Sequence, residues 1–120
     1  MNTLSNQYLE ASNKLMTDGY YRQCVNLSWI ALRHEIFKWL ENKHITYEST
    51  REALLKIICY FANNNISTYI YMLNTTATLS EWDKDFEVDA KTAEYFYVKC
   101  NDIIKELSLQ DTDTQKHTNK

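Results

Sequence analysis

Arg33-His34-Glu35 is the stretch of this chain with the most obvious chemistry. An imidazole beside a guanidinium and a carboxylate is a set that general acid–base catalysis uses. On a helix, however, consecutive side chains point about 100° apart and do not face one another. His34 falls on the face marked by Cys24, Leu27 and Ala31, which predicts a hydrogen-bonded, partly buried imidazole. Arg33 and His34 are the candidate catalytic residues. A two-fold axis, bringing the same residues together from two chains, is the one way for them to converge.

Other patterns are incomplete. Asp83, Asp85, Glu87 and Asp89 alternate in part as a calcium loop does, with Glu94 at the twelfth position. The obligatory glycine of such a loop is replaced by Val88. Gly19 is the single glycine, so no phosphate-cradling loop exists. Cys24, Cys59 and Cys100 are too widely spaced for a paired-cysteine metal site and odd in number for a disulfide framework. Each falls on an apolar helical face, which predicts buried, reduced thiols in a reducing compartment. No metal and no cofactor are expected.

The elements that position these residues read as helices. The chain has no proline and 44% apolar residues. A sheet built on tight turns would draw on both proline and glycine. Leu4, Tyr8, Ala11 and Leu15 predict a first helix over 4–17, stopped at Asp18-Gly19 with Gly19 in the left-handed conformation. A long second helix runs over 20–42, with a wide apolar arc that suits more than one neighbour. Ser49 and Glu52 read as a capping box for a third helix ending near Ala62. Residues 66–79 mix strand-forming residues with a helical stripe of Ile66, Ile70, Leu73 and Ala77; a lone strand would have no partner, so helix is expected. A last helix spans 88–108, with Ala93, Tyr97, Cys100, Ile104 and Leu107 inward. The expected fold is all-α, a four- to five-helix up-and-down bundle in one domain over 1–108. Residues 109–120 form a polar tail with nothing to hold it down.

Aromatic residues make up 13% of the chain, more than one small core comfortably holds. Tyr and Trp are enriched at protein interfaces. A homodimer or partner interface is therefore expected through the second or last helix, drawing on Tyr21, Trp29, Phe37, Tyr95 and Phe96. Net charge is −3, and residues 81–94 alone carry −4, which argues against nonspecific nucleic-acid binding over the whole surface. No apolar run approaches the roughly 20 residues that span a bilayer, and no signal-peptide pattern opens the chain, so a cytoplasmic location is expected.

The passage from Gly19-Tyr20-Tyr21-Arg22-Gln23-Cys24 through Trp29-Ile30-Ala31 to Lys38-Trp39-Leu40 resembles the first helical pair of the HEPN superfamily. Gly19, Gln23, Trp29, Ala31 and Lys38 match the spacing of its archaeal PaREP1-type group, while Asn26 and Leu27 replace the acidic–basic pair usual there. About 35 residues carry the likeness; the C-terminal part matches loosely through Leu79 and Trp82. The resemblance implies a helical bundle, a homodimer, and protein partners such as a nucleotidyltransferase. Many HEPN proteins are metal-independent ribonucleases whose signature is Arg followed four to six residues later by His. No arginine here has a histidine at that distance. The expected function is a non-enzymatic, homodimeric interaction module. The alternative is a metal-independent RNA-binding or RNA-cleaving HEPN protein of toxin–antitoxin or defence type, with Arg33 and His34 as the only candidate active residues; for either reading the expected origin is archaeal or a mobile element.

Overall fold

Three kinds of local signal fix where the helices begin and end. Thr3 opens α1 (Leu4–Thr17) by accepting the Asn6 N–H on its hydroxyl at 3.1 Å. Gly19 closes it with φ +88°; its N–H reaches the Met16 carbonyl at 3.1 Å, and the Tyr20 N–H reaches Leu15 at 2.8 Å. That pair of bonds is a Schellman motif, and the left-handed position is where glycine is needed. The long second helix, α2 (Tyr21–Asn42), ends by the same motif. His44 N–H bonds Glu41 and Ile45 N–H bonds Leu40, but here a histidine holds φ +59°.

Ser49 caps α3 (Thr50–Tyr60), its hydroxyl accepting the Glu52 N–H at 3.1 Å. The returning carboxylate of Glu52 accepts from Glu48 N–H, one residue earlier than the capping box predicts. Asn64 caps α4 (Asn65–Trp82) through the Ile66 N–H. Asp89 accepts the Thr92 N–H at 2.8 Å at the start of α5 (Ala90–Thr118).

The computed structural model describes the backbone of residues 3–118 and the side chains of residues 3–110. Among the described residues the chain is all-helical, with five helices and no strand. Residues 66–79 are helix, as their apolar stripe predicts, and Ile66, Ile70, Leu73 and Ala77 are all buried. Helix α5 runs ten residues past Ser108, where the sequence pattern places its end. The side chains of 111–120, most of the expected tail, lie outside the described residues.

α2 is the centre of the fold and touches every other helix, while α3 rests on α2 and α4. Its wide arc buries Cys24, Val25, Ala31, Leu32, Ile36, Trp39 and Leu40. Trp39 is fully buried and meets the rings of Tyr60 at 4.7 Å and Phe61 at 5.3 Å.

Helix α1 is rotated from its expected orientation. Ser5, Leu9 and Ser12 are its buried residues, while Leu4 is 44% exposed and Ala11 faces solvent. The cause lies in hydrogen bonding. Ser12 Oγ donates to the Cys24 carbonyl at 2.9 Å and meets Ser28 Oγ, and Ser5 Oγ donates to Glu35. Small hydroxylated side chains let α1 lie close on α2 while satisfying buried polar groups.

Candidate functional site

The Arg33-His34-Glu35 triplet separates as helix geometry requires. Glu35 turns inward, is 3% exposed, and accepts Ser5 Oγ at 2.9 Å and Ser108 Oγ at 3.1 Å. Its carboxylate is thus the junction of α1, α2 and α5. It is not free to serve an imidazole at the surface.

Arg33 and His34, by contrast, share one hollow. With Tyr8 of α1 and Ile30 and Phe37 of α2 they line a concavity of about 250 Å³. Both are half-buried. His34 is partly buried, as expected, but the expected hydrogen bond is absent among the described residues. Arg33 also borders a second hollow of about 140 Å³, with Asn26, Trp29, Ile30, Ala77 and Glu81. Its guanidinium lies 6.0 Å from the Trp29 ring centre, and its buried Nε has no hydrogen-bond partner. No carboxylate among the described residues comes within ion-pair distance of it.

The five rings expected at an interface fall into two groups. Trp29 and Phe96 are 7% and 1% exposed and pack edge-to-face on one another at 6.4 Å, inside the core. Tyr21 and Phe37 are half-buried, and Phe37 stacks on Tyr47 at 5.4 Å. Only Tyr95 stands largely in solvent, at 47% exposed.

The large exposed aromatics of α4 were missing from that set. Trp82 is 78% exposed and Tyr71 66%, with Met72 and Leu79 also exposed. Tyr71, Thr75, Thr78 and Trp82 form one helical stripe; Thr68, Met72, Thr75 and Leu79 form the adjoining one. All are exposed, opposite the buried Ile66–Ala77 stripe. Residues 57–80 contain no Asp, Glu, Lys, Arg or His, and the single charge of α4 is Glu81. An uncharged run of this length is the sequence signal that would have found this face.

Among the cysteines, Cys24 and Cys100 are buried and free, and burial pushes both thiols up from their usual range. Cys59 is exposed, correcting the expectation that all three lie inside. The acidic stretch serves local structure. Asp83 accepts the Asp85 N–H, and Asp89 starts α5. Arg22 donates through Nη1 to the Ser80 carbonyl and through Nη2 to the Phe86 carbonyl, fastening the stretch to α2. No group of three potential metal ligands forms among the described residues, and no described helix is long and apolar enough to cross a membrane.

No family model matches the chain, and no curated protein or solved structure matches it.

Proposed function

We propose that this chain is a non-catalytic helical interaction module that associates with a second copy of itself through the outer face of α4. The observation that carries this reading is the uncharged face bearing Tyr71, Met72, Leu79 and Trp82. In a two-fold contact a charge on the axis meets its own copy, and a charge off the axis must be desolvated or find an opposite partner on the other chain. The outer faces of the other helices carry charged residues, such as Glu10 and Lys14 on α1, Arg51 and Lys56 on α3, and Lys91 and Glu94 on α5. On α4 this penalty is nearly absent. Trp and Tyr are also the residues that dominate binding energy at interfaces. The HEPN-like assignment belongs to this reading. It is supported by the all-helical fold and by the long α2 that follows the Gly19 turn, and a nucleotidyltransferase-type protein is its further partner. Three free thiols favour a reducing, cytoplasmic setting.

The test is solution mass by light scattering at two concentrations about tenfold apart, repeated with Trp82→Glu. A dimer in the native chain that becomes a monomer in the variant supports the reading. A native chain that is monomeric throughout overturns it.

The RNA-cleaving alternative has one observation in its favour: Arg33 and His34 line the same hollow. It requires cleavage of single-stranded RNA in EDTA and its loss in His34→Ala. The single guanidinium and the enclosed Glu35 favour the non-catalytic reading.

A further inference from the structure

We infer that the hollow formed by Tyr8, Ile30, Arg33, His34 and Phe37 is a binding site for a small aromatic carboxylate. Helices α1 and α2 alone build it, so the inference stands apart from self-association through α4.

The first argument is the state of Arg33. A guanidinium carries five N–H donors and is always charged. Arg33 is half-buried, yet none of its donors meets an acceptor among the described residues, and its Nε is sealed from solvent. The enclosed Nε is beyond a ligand's reach, but the Nη donors are not enclosed, and a carboxylate can supply them with two parallel acceptors while the guanidinium keeps its contact with the Trp29 ring.

The second argument is the lining. Ile30 is 37% exposed at this hollow, an aliphatic surface left in water. Tyr8 and Phe37 add ring surface, and stacking on Tyr47 holds Phe37 in place. A flat apolar body covers these groups while its carboxylate meets Arg33.

Size and charge then select the ligand. About 250 Å³ falls below the roughly 300 Å³ at which drug-sized pockets begin, which suits a single ring. Arg33 is the one Lys, Arg, Asp or Glu side chain lining the hollow, and Glu81 stands in the adjoining one. That balance favours a monoanion over a phosphate dianion.

The full chain is titrated with sodium benzoate, cyclohexanecarboxylate and inorganic phosphate, following the ¹⁵N-edited Nε–H signals of its three arginines, Arg22, Arg33 and Arg51. Benzoate should give a saturable shift of the Arg33 signal, with a Kd in roughly the millimolar range. Cyclohexanecarboxylate and phosphate should bind more weakly. Arg33→Lys should weaken benzoate at least about tenfold, as loss of a charged bidentate contact does. Ile30→Glu, at an already exposed position, should abolish binding with the helical circular dichroism unchanged. No saturable response to benzoate overturns the inference, as does phosphate binding tighter than benzoate or unchanged affinity in both variants.

Discussion

Removing the Ser5 hydroxyl tests the buried junction at Glu35. Ser5 Oγ donates to Glu35 Oε2 at 2.9 Å, and the carboxylate is 3% exposed. A hydrogen bond to a charged acceptor contributes about 1.5–3 kcal/mol, and a neutral one about 0.5–1.5 kcal/mol. Ser5→Ala should therefore destabilise the native chain by about 2 kcal/mol. With a urea m-value of roughly 2 kcal/mol/M, the unfolding midpoint falls by about 1 M. In a Glu35→Gln background the same substitution removes a neutral bond, and the fall should be about half as large. The difference, about 1 kcal/mol, is the coupling that a double-mutant cycle isolates. All four proteins are compared at one protomer concentration, since self-association also shifts the midpoint. Equal falls in both backgrounds would refute the view that Ser5 serves a buried charged acceptor.

Five further outcomes follow from the structure. One thiol, Cys59, should react rapidly with a thiol reagent in the folded protein, and all three after denaturation; fast labelling surviving in Cys59→Ser would contradict this. His44→Gly should stabilise the fold by roughly 0.5–1 kcal/mol by removing a left-handed side-chain conformation, and Gly19→Ala should destabilise it by about 1–2 kcal/mol, both read from urea midpoints. Asp89 lies below its ordinary range because it accepts the Thr92 N–H, so its contribution is present at neutral pH and lost as pH falls through its folded value, below about pH 4. Amide protection at the start of α5, the exchange rate relative to the intrinsic rate at each pH, should fall there, and Asp89→Asn should flatten that fall; protection unchanged with pH would contradict it. Ser49→Ala should lower stability by about 0.5–2 kcal/mol through loss of the α3 cap, and an unchanged midpoint would show that the cap contributes nothing.

Helix positions were legible in the sequence because their signals are local. Thr17-Asp18-Gly19, Ser49 with Glu52, and the Ile66–Ala77 stripe each act within a few residues. The rotation of α1 was not legible, since Leu4, Tyr8, Ala11 and Leu15 form the better apolar stripe. The buried stripe contains Ser5 and Ser12, whose partners Glu35 and Cys24 lie far along the chain. His44 likewise gave no sign of a left-handed turn, a conformation in which glycine is the usual residue. At the site, a count of aromatics could not say which rings face outward. Trp29 and Phe96 fill the core against one another, whereas Tyr71 and Trp82 stand opposite a buried stripe. The shared hollow of Arg33 and His34 arises because Tyr8 of α1 closes its wall, a contact between helices that spacing along α2 does not reveal.

The most direct test of self-association through α4 is the solution mass of the native chain beside Trp82→Glu. The native chain should weigh twice the 14.3 kDa of one copy, about 28.6 kDa, and the variant should fall to 14.3 kDa with its helical content unchanged. A dimer that persists in Trp82→Glu, or a native chain that stays at 14.3 kDa at both concentrations, would contradict the account.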